Sequence, residues 1–316
     1  MTVLILTGDD DVTADMVVSE LNDKSVSLVR FDPASLSDGS ALSVECEEGA
    51  LRGHLAVGER LLDLDGVRSI WVRRPGRPAA RAARGIPWLA EEATQALFGM
   101  LDCLDAPWMN HPRAADRARL KLWQLQQARR SGFAVPDSIV TTCPEAARAF
   151  VGKYRRVVTK KMSGAALADG RRALPTTLVP ADADFRGVAV GPTFLQRYIV
   201  RRADIRLTVV GHEMFAARKE SGPDQVDGRF GDYGHSWKSV EIPPEVRRSV
   251  GYYMKRASLI YGAFDLAEDR DGRWWFLECN QGGQFGFIEM ETGLPIANSI
   301  ARWLASPDAS DETAIW

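Results

Sequence analysis

The sequence predicts an α/β protein, in which short buried strands alternate with amphipathic helices. Three observations carry that expectation. Residues 3–7 are an apolar run broken at once by Asp9-Asp10-Asp11, a buried strand feeding a helix. Strand and helix patterns then recur along the chain without internal repeat or low-complexity segment. Near the C-terminal end two apolar runs, 263–268 and 273–279, flank Asp269-Arg270-Asp271-Gly272, the signature of a hairpin.

Taken in order, a helix over residues 13–21 follows the first strand, and a second strand covers 27–31. Three short antiparallel strands are expected at 42–46, 51–57 and 60–64, with Gly-containing turns. Residues 69–72 form a strand ending in Arg73-Arg74-Pro75, and an amphipathic helix spans 86–104. Pro107 and Asn110-His111-Pro112 then break the chain, marking a first domain boundary. A single helix over 114–131 follows, with Leu122, Leu125 and Ala128 on one stripe. Strands at 138–141, 156–160, 193–199 and 204–210, with a helix from Pro144 to Gly152, complete the middle of the chain. A polar, Gly-rich stretch at 221–236 reads as a loop or hairpin over the site, or else as a disordered surface excursion. Helices at 243–261 and 294–305 bracket the hairpin.

At 316 residues the chain is long enough for two or three domains. A net charge of −2 argues against bulk electrostatic binding to nucleic acid. No apolar run reaches the ~20 residues of a membrane span. The four cysteines lack CxxC pairing, which suggests a reduced, cytoplasmic protein, and with four scattered histidines zinc is not expected.

The chemistry concentrates in a few places. In a strand ending at Glu278-Cys279-Asn280, Glu278 and Asn280 share a face and form an oxygen-donor pair for a hard cation. The plain alternative is a strand end with a polar turn. Placing Glu268 opposite Arg273 across the turn puts Asp265 opposite Phe276, on the face of Glu278 and Asn280; a one-residue slip turns it away. Lys160 ends a strand beside Met162-Ser163-Gly164, well placed for phosphate, with Lys161 as the alternative on the opposite face. Lys121 lies in a helix, where a solvated role is the plainer one. The strand through Gln196 enters a hinge, Arg197-Tyr198-Ile199, whose backbone suits an adenine edge. Asp204 and Arg206 share a strand face, as a phosphate-directed pair or as a surface ion pair. The arginines at 68, 73, 74, 77, 81 and 84, with Arg201 and Arg202 elsewhere, form either a surface that attracts an acidic peptide or, for most of them, plain solvated side chains. Arg73 and Arg74 are foremost because they end a strand near a domain boundary.

In that order, Lys121, Lys160, Gln196 with its hinge, Asp204-Ile205-Arg206, Asp265, Glu278 and Asn280 resemble the ATP-grasp superfamily over residues 110–305. The resemblance implies a pre-grasp α/β domain at 1–110, a central subdomain at 111–195 and a C-terminal subdomain at 196–316. Trp71-Val72-Arg73-Arg74-Pro75 and the run from Leu277 to Glu289 are similar to ribosomal-peptide maturases that make graspetides, of the actinobacterial type in overall texture. Such enzymes join Asp or Glu side chains of a precursor peptide to Ser, Thr or Lys side chains. ATP and Mg²⁺ are then the cofactors. Lys121 and Lys160 would hold phosphates, Gln196 to Ile199 the adenine, and Asp265, Glu278 and Asn280 the metal. Arg206 would stabilise the phosphoryl group or oxyanion, with Arg218 as helper, and Asp204 would contact ribose or orient the nucleophile. Arg197 departs from the acidic residue usual after the hinge glutamine. The partner would be a precursor peptide with leader and core, with no nucleic acid or membrane, and the family implies a homodimer. Two other functions compete: a ligase adding glutamate to a protein tail, and a non-catalytic nucleotide-dependent peptide-binding module. A Rossmann dehydrogenase is disfavoured, since no GxGxxG opens a βαβ unit.

Overall fold

A parallel four-stranded sheet forms the N-terminal part, and its burial on both faces explains the uninterrupted apolar run of the first strand. The computed structural model describes residues 1–84, 86–163, 174–222, 226 and 236–307. The elements of this first part are β1 (Thr2–Thr7), α1 (Val12–Asp23), β2 (Leu28–Phe31), a small antiparallel sheet of β3 (Ser40–Glu47), β4 (Ala50–Val57) and β5 (Arg60–Asp63), then β6 (Val67–Arg74). Helices α2 (Ala80–Ala83) and α3 (Pro87–Leu101) and the short β7 (Trp108–Met109) follow. Strand order is β2-β1-β6-β7. Val3 and Ile5 point toward α1, while Leu4 and Leu6 meet α3 and the small sheet. Asp11 caps α1, its carboxylate accepting from the Thr13 and Ala14 amides.

The expected single helix at 114–131 is instead two, α4 (Pro112–Ala118) and α5 (Lys121–Arg130), with Leu120 extended between them. The Gln124 side chain donates to the orphaned Ala118 carbonyl at 2.7 Å, which stabilises the break. The buried stripe of α5 is Gln124, Gln127 and Ala128, whereas Leu122 is exposed. Next come β8 (Ser138–Thr141), α6 (Pro144–Lys153), β9 (Val157–Thr159), β10 (Thr177–Leu178) and β11 (Thr193–Arg197), a second small sheet in the order β10-β9-β11-β8 with its own core around Ala147, Val157, Phe185 and Leu195.

The last part is a five-stranded antiparallel sheet, β14-β13-β12-β15-β16. Its strands are β12 (Arg201–Val210), β13 (Glu213–Glu220), β14 (Lys238–Ser239), β15 (Tyr261–Asp269) and β16 (Trp274–Asn280). The pattern reading missed β13, although the Gly211-His212 turn, with Gly211 at φ +54°, is a two-residue hairpin signal. Helix α7 (Pro244–Ala257) covers one face of this sheet through Val250, Tyr253 and Met254. It stops before residue 261 because Ser258 adopts a left-handed C-cap. Helices α8 (Gly286–Thr292) and α9 (Ile296–Ala305) lie at one end of the other face. Most of the 221–236 stretch lies outside the described residues.

The break at Asn110 is not a loose linker. One core runs from Val3, Ile5 and α1 through α9 to Val210, Ala217, Tyr261 and Ala263 of the five-stranded sheet. Asn110, 3% exposed, donates to the Tyr261 and Gln281 carbonyls at 2.8 and 3.0 Å and accepts from the Ile260 and Tyr261 amides at 2.7 and 2.9 Å. Replacing it with alanine strands two amides and two carbonyls in the interior. Asn110→Ala is expected to lower unfolding free energy by about 2–4 kcal/mol, read as a shifted urea midpoint at unchanged slope.

Candidate active site

One face of the five-stranded sheet and the second small sheet line a common cleft of about 830 Å³. Every residue expected to meet nucleotide, metal or phosphoryl group, except Arg218, lines this cleft, whereas of the arginines between 68 and 84 only Arg74 does.

The centre of the site is a pair of carboxylates on adjacent strands. Asp265 of β15 stands directly opposite Glu278 of β16, and Ala263 opposite Asn280. The expected register is off by one near the turn, where Glu268 pairs with Trp274 rather than Arg273. Continued regularly, that pairing would turn Asp265 away from Glu278. A β-bulge at Leu277 inserts one residue and restores the shared face. It also lets Phe276 and Cys279 both face α7, so the core and the site are satisfied by one irregularity.

Each carboxylate has its own cation. Arg206, opposite Asp265 on β12 and 7% exposed, donates to Asp265 Oδ1 at 2.6 Å. Lys121 donates to Glu278 Oε2 at 2.6 Å. It reaches there because the chain breaks at Leu120, which makes Lys121 the first residue of α5. Asn280 Nδ2 lies 3.4 Å from Glu278 Oε1. Removal from water raises the Asp265 carboxyl above its ordinary value, Arg206 opposes that rise, and Glu278 adds to it. Helix α5 is fixed to the edge of β16 by Gln124, whose amide accepts from the Cys279 N–H and donates to its carbonyl, both at 3.0 Å. A buried glutamine thus completes the edge strand, a role that a helical heptad pattern does not reveal.

Across the cleft, Gln196 is buried in β11 and its side chain donates to Ser138 at 3.0 Å, so it supports the strand from within. The chain leaves the sheet after Arg197, whose amide is taken by the Asp137 carbonyl, as that of Tyr198 is by Arg156. The Tyr198 ring sits between the guanidinium groups of Arg156 and Arg201, at 4.5 and 5.9 Å. The Ile199 amide makes no backbone hydrogen bond among the described residues. Lys160 follows β9 at the cleft wall, its ammonium 5.5 Å from the Phe194 ring. Arg197 lies along Trp275 at 5.6 Å. Asp204 is paired with Arg201 at 2.5 Å and accepts from Ser221 at 3.2 Å.

Arg218 is not part of this site. It stands opposite Ile205 on β12, and so on the sheet face away from Arg206. There it binds Glu268 at 2.6 Å and Glu220 at 2.5 Å, with Arg202 closing on Glu268 from the other side. Alternation along β12 and β13 decides this, and it was invisible while β13 went unassigned.

The pattern reading also passed over Phe287 and Trp237, which line the cleft with ring centroids 6.0 Å apart. Phe287 opens α8 just past the glycine loop and lies 6.0 Å from the Arg206 guanidinium. The donor set of Asp265, Glu278 and Asn280 is all oxygen apart from amide nitrogen, which fits a hard divalent cation that completes its shell with phosphate oxygens and water.

Residues 2–116 match the family model of the MvdD pre-ATP grasp domain. A RiPP-associated ATP-grasp ligase of Chryseobacterium gregarium, solved with ADP and a leader and core peptide, is 23% identical; the superposition covers 100% of this chain and 99% of that one with a TM-score of 0.87. The macrocyclase MdnC of Microcystis aeruginosa MRC, bound to precursor peptide MdnA, is 27% identical over 96% of this chain and 99% of its own, with a TM-score of 0.86. A probable alpha-L-glutamate ligase 2 of Shewanella amazonensis is 27% identical over 203 residues, 60% of this chain; the chain spans 64% of that relative's length. The fold is thus that of these ATP-grasp ligases over nearly the whole chain, and residues 2–116 are similar to the MvdD pre-ATP grasp domain.

Proposed function

We propose that this protein is an ADP-forming ligase that activates Asp or Glu side chains of a ribosomal precursor peptide and joins them to Ser, Thr or Lys side chains, closing macrocycles. The carrying observation is the Asp265/Glu278 pair, each carboxylate neutralised by its own cation, set in a cleft rimmed by Lys160, Lys161, Arg74, Arg119 and Arg197. That arrangement suits a metal–triphosphate better than a neutral ligand. The fold shared with two peptide-bound ligases supports the peptide as substrate.

In the first step a substrate carboxylate oxygen attacks the γ-phosphorus of ATP and ADP leaves, giving an acyl phosphate. In the second, a hydroxyl or amine of the same peptide attacks the acyl carbon, phosphate leaves and the nucleophile loses its proton. Asp265, Glu278 and Asn280 would hold Mg²⁺, which supplies charge neutralisation at the phosphates. Arg206 directs a second guanidinium nitrogen to the Gln284 carbonyl at 2.7 Å and is thereby held rigid, a requirement for stabilising charge as it develops. Lys121 and Lys160 would meet phosphate oxygens. The unbonded Ile199 amide would take the adenine edge, while Arg201, by holding Asp204, fixes the wall on which ribose or the nucleophile rests. Trp237 and Phe287, both lining the cleft, would give an apolar shelf beside the acyl centre.

The remaining assignments belong to the same proposal. The three units divide at 1–110, 111–195 and 196–316. A cytoplasmic location suits the free, exposed thiols of Cys46, Cys103 and Cys143. No helix among the described residues is long and apolar enough to cross a membrane. A homodimer is carried by the resemblance alone.

Incubation with ATP, Mg²⁺ and a short Thr/Ser- and Asp/Glu-rich peptide, to be sought in the reading frames beside the gene, should give a product lighter by one water per bond. A gain of mass with free glutamate supplied would favour the glutamate ligase, a reading that the Shewanella likeness keeps in play. ATP turnover with unchanged peptide mass would count against both. At the metal site, Glu278→Gln should weaken Mg²⁺-dependent ADP binding by at least about tenfold. Arg218→Gln, on the far sheet face, should leave it within about twofold, since exposed or remote charges contribute little. Titration calorimetry with and without Mg²⁺ measures both.

A further inference from the structure

Arg73, the penultimate residue of β6, is 6% exposed, yet its side chain leaves the N-terminal sheet and reaches the loop that follows Asn280. One guanidinium nitrogen donates to the Gly282 carbonyl and another to the Gln284 side-chain oxygen at 2.8 Å. Asp11, the cap of α1, stands 3.6 Å from the third nitrogen. Thr13, in the first turn of α1, donates to the same Gln284 side-chain oxygen. The N-terminal unit therefore grips Gln284 with two donors, while the backbone carbonyl of Gln284 accepts from Arg206. The loop is pressed close: a Cβ on Gly283 would lie 2.5 Å from Ala263 Cβ and 2.8 Å from Arg206 Nη2, so only glycine fits there.

We infer that Arg73 is a positioning residue for phosphoryl transfer, setting the Gly282–Gln284 backbone and, through the Gln284 carbonyl, the direction of the Arg206 guanidinium. This rests on the assignment of Arg206 given above. A guanidinium is needed because its planar fork serves two acceptors at once, whereas an ammonium keeps the charge and loses the geometry. The basic pair at the end of β6 thus divides: Arg74 faces the cleft and Arg73 faces the protein.

The test compares binding of Mg²⁺–ADP with binding of Mg²⁺–ADP plus fluoroaluminate, a mimic of the transferring phosphoryl group, so that no peptide need be known. Wild type should bind the mimic more tightly than ADP alone. Arg73→Lys and Gln284→Ala should each keep ADP affinity within about threefold yet lose most of that gain. The double variant should lose no more than the worse single one, because both act on one chain of contacts. A merely structural Arg73 would lower Tm and leave the fluoroaluminate gain of the folded protein intact, which would overturn the inference, as would additive losses. Gln284→Ala removes a cleft side chain outside the core and reads the same chain of contacts if Arg73→Lys fails to fold. Absence of any gain in wild type would instead remove Arg206 from the phosphoryl group, and with it the functional reading.

Discussion

Two carboxylates facing each other across neighbouring strands repel, by about 4 kcal/mol at 4 Å in a medium of effective dielectric 20. The Asp265/Glu278 pair exists because the bulge at Leu277 brings these residues opposite each other and because Arg206 and Lys121 arrive from two other elements to neutralise them. Arg206 comes from the neighbouring strand by register alone. Lys121 comes from a helix that starts where it does only because α4 ends early. The site is therefore a property of four elements meeting, and no one segment carries it.

The cleft has unequal walls. On the carboxylate side, the five-stranded sheet shares a continuous core with the N-terminal unit, and Asn110, Arg73 and Thr13 tie that unit to the sheet and to the glycine loop. Tyr261 adds to the same bracing, its hydroxyl donating to the Gly283 carbonyl at 2.8 Å and pushed up to about 12 by burial. On the hinge side, the small sheet packs around a separate core and continues into the large sheet through residues 198–200. Separate cores joined by a short connection let one wall shift while the other stays fixed, as gripping and releasing a nucleotide requires. On the role inferred for Arg73, the N-terminal unit would act on catalysis without lining much of the cleft.

Most of the architecture was legible from periodicity. The buried run at β1 and the hairpin of β15 and β16 rest on local pattern, which burial on two faces or one makes explicit. ATP-grasp rests instead on the resemblance of an ordered set of residues to a known family. The Asp265 assignment reached the correct face through a register one residue off, since parity is restored by a bulge that no turn rule foretells. Arg218 went wrong for the complementary reason: β13 was unassigned, so its alternation could not place the side chain. Gln124 and Arg73 lay beyond pattern reading altogether. Their partners are backbone groups more than 150 residues away in sequence, and a buried polar side chain that answers distant carbonyls leaves no local periodic trace.

The pairing of charges also bears on how a triphosphate would enter. Each carboxylate holds a cation, so the sheet face is close to neutral, while Lys160, Lys161, Arg74 and Arg119, the last paired with Asp116, stand at the rim of the cleft. A polyanion is drawn to the rim first. On the proposed reading Asp265 and Glu278 would give oxygens to a divalent cation arriving with it, and Lys121 and Arg206 would turn toward phosphate. Partners are exchanged and no charge is left buried alone, which avoids the several kcal/mol that an unpaired interior ion would cost. Metal or triphosphate alone would complete only half of that exchange, so a site built this way would discriminate in favour of the two together.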